Sequence, residues 1–174
     1  RAAYLACKLA KETTGKSSIL LPRYACPSFA HGVLAAGMKI QYCDLSPRTL
    51  AVDVSQVASL IDDTTGAIIT PNLFGLSSDM SALRKLCDER RILMIEGADY
   101  SLGGAFEHEP FGSYGDITVL NFQEGKALPV GGGMVLANKP ILDRAELVPG
   151  KSLIPFLRSV AFKLFSSPLG YSLF

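Results

Sequence analysis

The chain has 174 residues, 48% of them apolar and 19% charged, with a net charge of +1. That is one domain's worth, able to bury roughly 70% of its unfolded surface, and it excludes a disordered polypeptide. Lysines and arginines are scattered rather than clustered, which excludes an electrostatic footprint for nucleic acid.

Along the chain, short apolar runs alternate with longer amphipathic ones, the rhythm of an α/β domain. A helix is expected at 2–13, with Gly15 just past it as a left-handed cap, and a strand at 18–22. A helix at 27–36, closed by Gly37, leads to a strand at 39–44. Ser55 is the expected N-cap of a helix at 55–61, before a strand at 67–71. Asp79 is the expected N-cap of a helix at 79–90. Strands at 92–96, 116–122 and 133–138 follow. The run Ile92-Leu93-Met94-Ile95 is too uniformly apolar for a strand with one wet face, so a sheet covered by helices on both sides is expected. Residues 151–174 carry Leu153, Phe156, Leu157, Val160, Ala161, Leu164 and Phe165 at helical spacing, with Pro155 in the first turn. This tail reads as a helix packed on further protein or a second subunit. A membrane-surface helix is the weaker reading, with two or three cations to serve it.

The four cysteines, Cys7, Cys26, Cys43 and Cys87, have no close pair, and with His31 and His108 they form no zinc-like spacing. They read as reduced, mostly buried thiols, and no metal is expected. No apolar run has transmembrane length and no signal peptide is evident, so a soluble cytoplasmic protein is expected. The first helical pattern begins at the first residue and the last apolar segment runs to Phe174. Both ends read as cut, so part of the functional unit is expected to lie outside this chain.

Chemistry in open α/β sheets collects at the carboxyl ends of the strands. The polar residues there are Tyr24 and Cys26, Asn72, Glu96 to Tyr100, and Asn121 to Lys126. The stretch from Asn121 to Leu136 places Lys126 in a turn after one strand and three glycines, Gly131 to Gly133, before the next. A buried lysine in such a turn is a usable amine nucleophile, because desolvation lowers its pKa. Taken alone, the same pattern also fits an exposed hairpin lysine.

Four blocks in register change that balance. They are Leu21 to Gly37, Ala67 to Gly75 followed by Asp79-Met80, Ile95 to Gly104, and the lysine loop preceded by Phe111-Gly-Ser-Tyr-Gly-Asp116. Together they resemble the pyridoxal-phosphate (PLP) dependent sugar aminotransferases of the DegT/StrS type. The third block is similar to that family's IEDAAQSLGA, and the fourth to its SFxxxKxLxxGxGG.

The resemblance implies a type I PLP-transferase large domain over 1–138: a three-layer α/β/α fold around a mostly parallel mixed sheet. Residues 139–174 would connect to a C-terminal domain not contained here. Lys126 would carry PLP as an internal aldimine and shuttle a proton to and from the substrate carbon. The family's acid for the pyridine nitrogen falls on Gly97, a departure. Asp99 is one substitute, since residues two apart in an extended segment point the same way; Glu96 is the other. Tyr100 takes the place of a Gln or His beside the cofactor's phenolic oxygen, and Asn72 takes that of a His. Asn121 replaces a phosphate-binding serine. Cys26 replaces the ring-stacking aromatic, with Tyr24 as compensation. The phosphate would rest on the N-terminus of the first helix.

The implied activity is amino transfer from an amino acid, glutamate, to a keto-sugar nucleotide, in a homodimer. The departures at Gly97, Cys26 and Asn121 keep a second reading open: a degenerate member that keeps the fold and serves as a binding or scaffolding protein. A dehydratase on the same scaffold is a third.

Overall fold

In the computed structural model, residues 1–123, 126, 131–137 and 141 are described. The elements run α1 (Ala2–Thr14), β1 (Ser18–Pro22), α2 (Pro27–Ala35), β2 (Lys39–Cys43), α3 (Val54–Leu60) and β3 (Thr65–Pro71). After a 3-10 turn at Leu73–Gly75 come α4 (Met80–Arg90), β4 (Leu93–Gly97), a small hairpin of β5 (Ala105–Phe106) and β6 (Glu109–Pro110), then β7 (Ile117–Asn121) and β8 (Gly133–Ala137). The expected tail helix lies outside the described residues.

Six strands form one sheet in the order β2-β1-β3-β4-β7-β8. All neighbours are parallel except β7 and β8, which pair antiparallel with Asn121 opposite Gly133. Period-two alternation sorts the strand side chains into two cores. Ile19, Leu21, Ala67, Ile69 and Ile95 pack on one face with Ala6, Leu9 and Ala10 of α1 and Phe29 and Val33 of α2. Leu20, Ile68 and Met94 pack on the other with Val57 of α3 and Leu83 and Leu86 of α4. This is the three-layer α/β/α sandwich around a mostly parallel mixed sheet that the sequence led us to expect.

The helix ends follow local chemistry. Gly15 closes α1 at φ 67°, and its N–H bonds the Lys11 carbonyl. The Lys11 amine donates to the Ala36 and Gly37 carbonyls at 3.0 and 3.1 Å, tying α1 to the end of α2. Asp79 caps α4 through the Ala82 N–H. One expectation is corrected: the N-cap of α3 is Asp53, not Ser55. The Asp53 carboxylate accepts the Ser55 and Gln56 N–H groups, and two free donors in the first turn favour a carboxylate over a hydroxyl.

Cys7, Cys43 and Cys87 are buried free thiols, and desolvation pushes them up to about 12, 11 and 12. A thiol that stays protonated is a poor nucleophile and metal ligand. Among the described residues no helix is long and apolar enough to cross a membrane.

Candidate active site at the strand tips

The singled-out residues follow the carboxyl ends of four adjacent strands: Tyr24 and Cys26 after β1, Asn72 after β3, Asp99 and Tyr100 after β4, and Asn121 at the end of β7. Parallel strands with crossover helices put these ends on one edge of the sheet. The Asn72 N–H bonds the Gly97 carbonyl at 3.0 Å, which locks the β3 and β4 exits together.

Lys126 lies in the connection between β7 and β8. That connection is clamped at its base: Phe122 N–H to Gly132 carbonyl at 3.1 Å, and Gly131 N–H to Phe122 carbonyl at 2.6 Å. Gly131 and Gly132 have φ of 83° and 86°, a conformation that side-chain-bearing residues rarely adopt. Gly133 is required for a different reason. A Cβ there would stand 2.8 Å from the Leu120 carbonyl oxygen and 3.1 Å from the Ala2 Cβ. The start of β8 thus abuts the N-terminus of α1.

The Lys126 side chain is 7% exposed, and its Nζ stands 2.5 Å from Oδ2 of Asp99, itself 8% exposed. Neither atom has a hydrogen-bond partner of ordinary angular geometry, so the contact is an ion pair. The same Nζ lies 3.1 Å from the centroid of the Tyr100 ring, a cation–π arrangement. Burial alone pushes the amine's pKa down. Asp99 first, and then Tyr100, outweigh it and hold the amine above the ordinary lysine value. Lys126 is therefore a shielded ammonium, not an exposed hairpin lysine.

The expected parity of Asp99 with Gly97 does not hold. The strand ends at Gly97, and residues 99–103 are in turn conformation, with the Ser101 N–H bonding the Ala98 carbonyl at 3.3 Å. Alternation applies only while the backbone stays extended. The turn takes the Asp99 carboxylate to the amine of Lys126.

Glu96 is fully buried and committed elsewhere. Its Oε1 accepts the Gly112 N–H at 2.7 Å and the Asn72 amide N–H at 3.0 Å, while Oε2 accepts the Gly115 N–H at 3.1 Å. Burial raises its pKa, and the Gly112, Gly115 and Asn72 bonds pull against that. Being one residue before Gly97, it points to the opposite face of the sheet.

At Gly97 the space that a side chain would need is filled. A Cβ would lie 2.8 Å from Cζ of Phe29 and 3.4 Å from the Pro71 Cα. The aromatic ring of α2 packs onto bare backbone, so the glycine and the phenylalanine belong together. Gly97→Ala is expected to cost about 1–3 kcal/mol of stability by overpacking, read as a lower urea midpoint at unchanged slope.

The remaining positions sort by their hydrogen bonds. Asn72 is 1% exposed; its NH2 goes to Glu96, and its Oδ1 is buried without a partner. It presents an acceptor. Asn121 accepts the Gln123 N–H on its Oδ1 at 3.1 Å, which leaves the NH2 as its donor. Cys26 begins α2, and its sulfur accepts the Ser28 hydroxyl at 3.2 Å. Tyr24 is 63% exposed. Tyr100, 43% exposed, has its ring 6.0 Å from that of Phe74. Sequence reading missed Ser101, whose buried Oγ has no partner; a serine in a turn carries no signal of its own.

A small polar group is what these orphaned atoms lack. The Asn72 oxygen, the Ser101 hydroxyl and the Lys126 amine are each buried without a hydrogen-bond partner, and a carbonyl-bearing ring with polar substituents has the donors and acceptors to meet them. Gly97 beneath Phe29 leaves no room for the acid that the family carries at this position for a protonated ring nitrogen.

The model of the DegT/DnrJ/EryC1/StrS aminotransferase family matches residues 2–149. A GDP-perosamine synthase of Vibrio cholerae is 27% identical over 130 residues, 74% of this chain and 35% of that protein. A dTDP-4-dehydro-2,3,6-trideoxy-D-glucose 4-aminotransferase of Saccharopolyspora spinosa is 27% identical over 125 residues, 71% of this chain and 32% of the other. The crystal structure of NtdA from Bacillus subtilis with bound cofactor PMP superposes with a TM-score of 0.69 at 26% identity, over 80% of this chain and 32% of that one. The chain thus spans about a third of the length of these relatives. With this match over most of its length, and with the fold in agreement with it, the chain belongs to the DegT/DnrJ/EryC1/StrS aminotransferase family.

Proposed function

We propose that this chain is the cofactor-binding core of a PLP-dependent aminotransferase that moves an amino group from an amino acid, glutamate, to a keto-sugar nucleotide. The observation that carries the reading is the shielded Lys126 ammonium at the sheet edge where the family's chemistry is placed. The acceptor class is supported by the names of the relatives from Vibrio cholerae and Saccharopolyspora spinosa, which carry a nucleotide-linked sugar.

When bound, PLP supplies an electron sink for the pair released at the substrate's α-carbon. The chain's own residues do the rest. Lys126 is the amine that condenses with a carbonyl, and it then holds the proton that leaves and returns at that carbon. Asn121 offers an amide N–H to the phosphate. It pairs with Gly133, which abuts Ala2 at the N-terminus of α1, so side-chain donor and helix dipole converge on one place. Asn72 and Tyr100, at the β3 and β4 exits, would hydrogen-bond the ring's polar groups, and Cys26 and Tyr24, at the β1 exit, would pack against it. Residues 1–138 form the large domain, 139–174 lead toward a second domain, and two chains pair as a cytoplasmic homodimer.

The test is direct. Purified protein incubated with PLP and then reduced with borohydride should yield one pyridoxylated peptide, modified at Lys126, with glutamate-dependent conversion of the cofactor to its amine form. Labelling spread over surface lysines with none at Lys126 would sink the assignment.

A further inference from the structure

Asp99 is a carboxylate beside an amine that must lose a proton before it can attack anything. We propose that Asp99 is a positioning residue for Lys126: it holds the ammonium charged over the Tyr100 ring and so governs when the amine is free to react. This rests on the assignment of Lys126 as the condensing amine, and it moves Asp99 from the ring nitrogen to the opposite end of the cofactor.

The geometry carries it. Both side chains are under one-tenth exposed, and the charges stand 2.5 Å apart. Water screens such a pair little, so the Coulomb attraction is far stronger than at a surface. The ring face beneath the ammonium adds attraction for the charged form only. Asp99 and Tyr100 are the titratable groups against Lys126 among the described residues, and both come from the turn after β4. Both favour the ammonium; burial opposes it. Removing Asp99 therefore takes away the first of the two groups that oppose burial and lowers the amine's pKa from its wild-type value.

The consequence is chemical. A lysine held as an ammonium is a proton donor and a poor nucleophile. Condensation with a carbonyl waits until the Asp99 contact is broken or the proton leaves. After release from the cofactor the pair re-forms, and Lys126 returns to its donor state.

The experiment needs no cofactor. Competitive acetylation with trace acetic anhydride across a pH series, read at the Lys126 peptide by mass spectrometry, gives the pKa of that one amine. In the wild type it should lie above the ordinary lysine value. In Asp99→Asn it should fall below the wild-type value, and acetylation of Lys126 at neutral pH should rise about tenfold for each unit lost. Asp99→Glu, which keeps a carboxylate, should restore a raised value. An unchanged Lys126 titration in folded Asp99→Asn, or a wild-type value already below the ordinary one, would overturn the proposal. A wild-type value below the ordinary one overturns the proposal even if the Asn variant does not fold, and Asp99→Glu then supplies the folded comparison. Failure of the PLP-labelling test would overturn the assignment of Lys126 to the cofactor without altering this titration, so the two readings fail separately.

Discussion

Lys126→Arg is expected to leave the domain folded and its ion pair with Asp99 in place while amine transfer falls by at least ~10²–10⁴-fold, the range for losing a positioned acid–base group. A guanidinium keeps the charge that Asp99 requires and stays over the Tyr100 ring, but it neither gives up its proton nor condenses with a carbonyl near neutral pH. Lys126→Ala removes both roles and leaves the Asp99 carboxylate buried without its partner. It should therefore lose stability as well as chemistry. Thermal unfolding and imine absorbance measured on both variants separate the contributions. If Lys126→Arg still turns over glutamate at a rate near the wild type's, the amine is not the reacting group.

Glu96→Ala should be the most destabilising single change at the strand tips. It removes the acceptor for two buried donors, the Gly115 N–H and the Asn72 amide, and for the partly buried Gly112 N–H. Each unsatisfied buried donor costs about 1–3 kcal/mol, against a total stability of about 5–15 kcal/mol for a domain. Glu96→Gln should lie between, because whichever way the amide is turned its NH2 faces a donor. The pH dependence has a definite sign. Burial raises the Glu96 pKa in the folded state, so the folded protein binds that proton more tightly than the unfolded chain. Its contribution to stability is then greatest below the unfolded pKa and declines as pH rises from there through the folded value. Urea titrations of wild type and Glu96→Gln across the acid range should show this decline in the difference between their stabilities. Asp53 and Asp62, held low by their hydrogen bonds, give the opposite slope, so the wild-type-minus-variant difference is what reports Glu96; a difference that does not change with pH would mean that Glu96 does not titrate as described.

Glu96 and the Asp99 that pairs with Lys126 lie within one short stretch yet have different partners. Glu96 and Asp99 are three apart in sequence, both acidic and both buried. One braces the backbone of 112–115 on one side of β4, and the other reaches Lys126. Either was a candidate for the same role in the sequence, because residue type alone does not say which donors surround a carboxylate.

Much of the architecture is local and was readable in the chain. The alternation of Leu20 with Ile19 and Leu21, the helical spacing of α1 and α4, and Gly15 and Asp79 at helix ends depend on neighbours within a few residues. Their periodicity therefore survives in the linear order. The placing of Lys126 between a strand and a run of glycines was legible for the same reason, but its pKa was not: burial was expected to lower it, and Asp99 and Tyr100 raise it instead.

What only the tertiary structure decided depends on which strands become neighbours and where a chain turns. Asp99 meets Lys126 across 27 residues because β4 and β7 lie side by side and because the backbone leaves the extended form after Gly97. Phe29 covers Gly97 because α2 crosses the sheet face onto which Ile95 also points. Composition and spacing identify which residues are able to carry charge or donate a proton. The partner of each charge, and hence its protonation state and its role, is set by packing between segments distant in sequence.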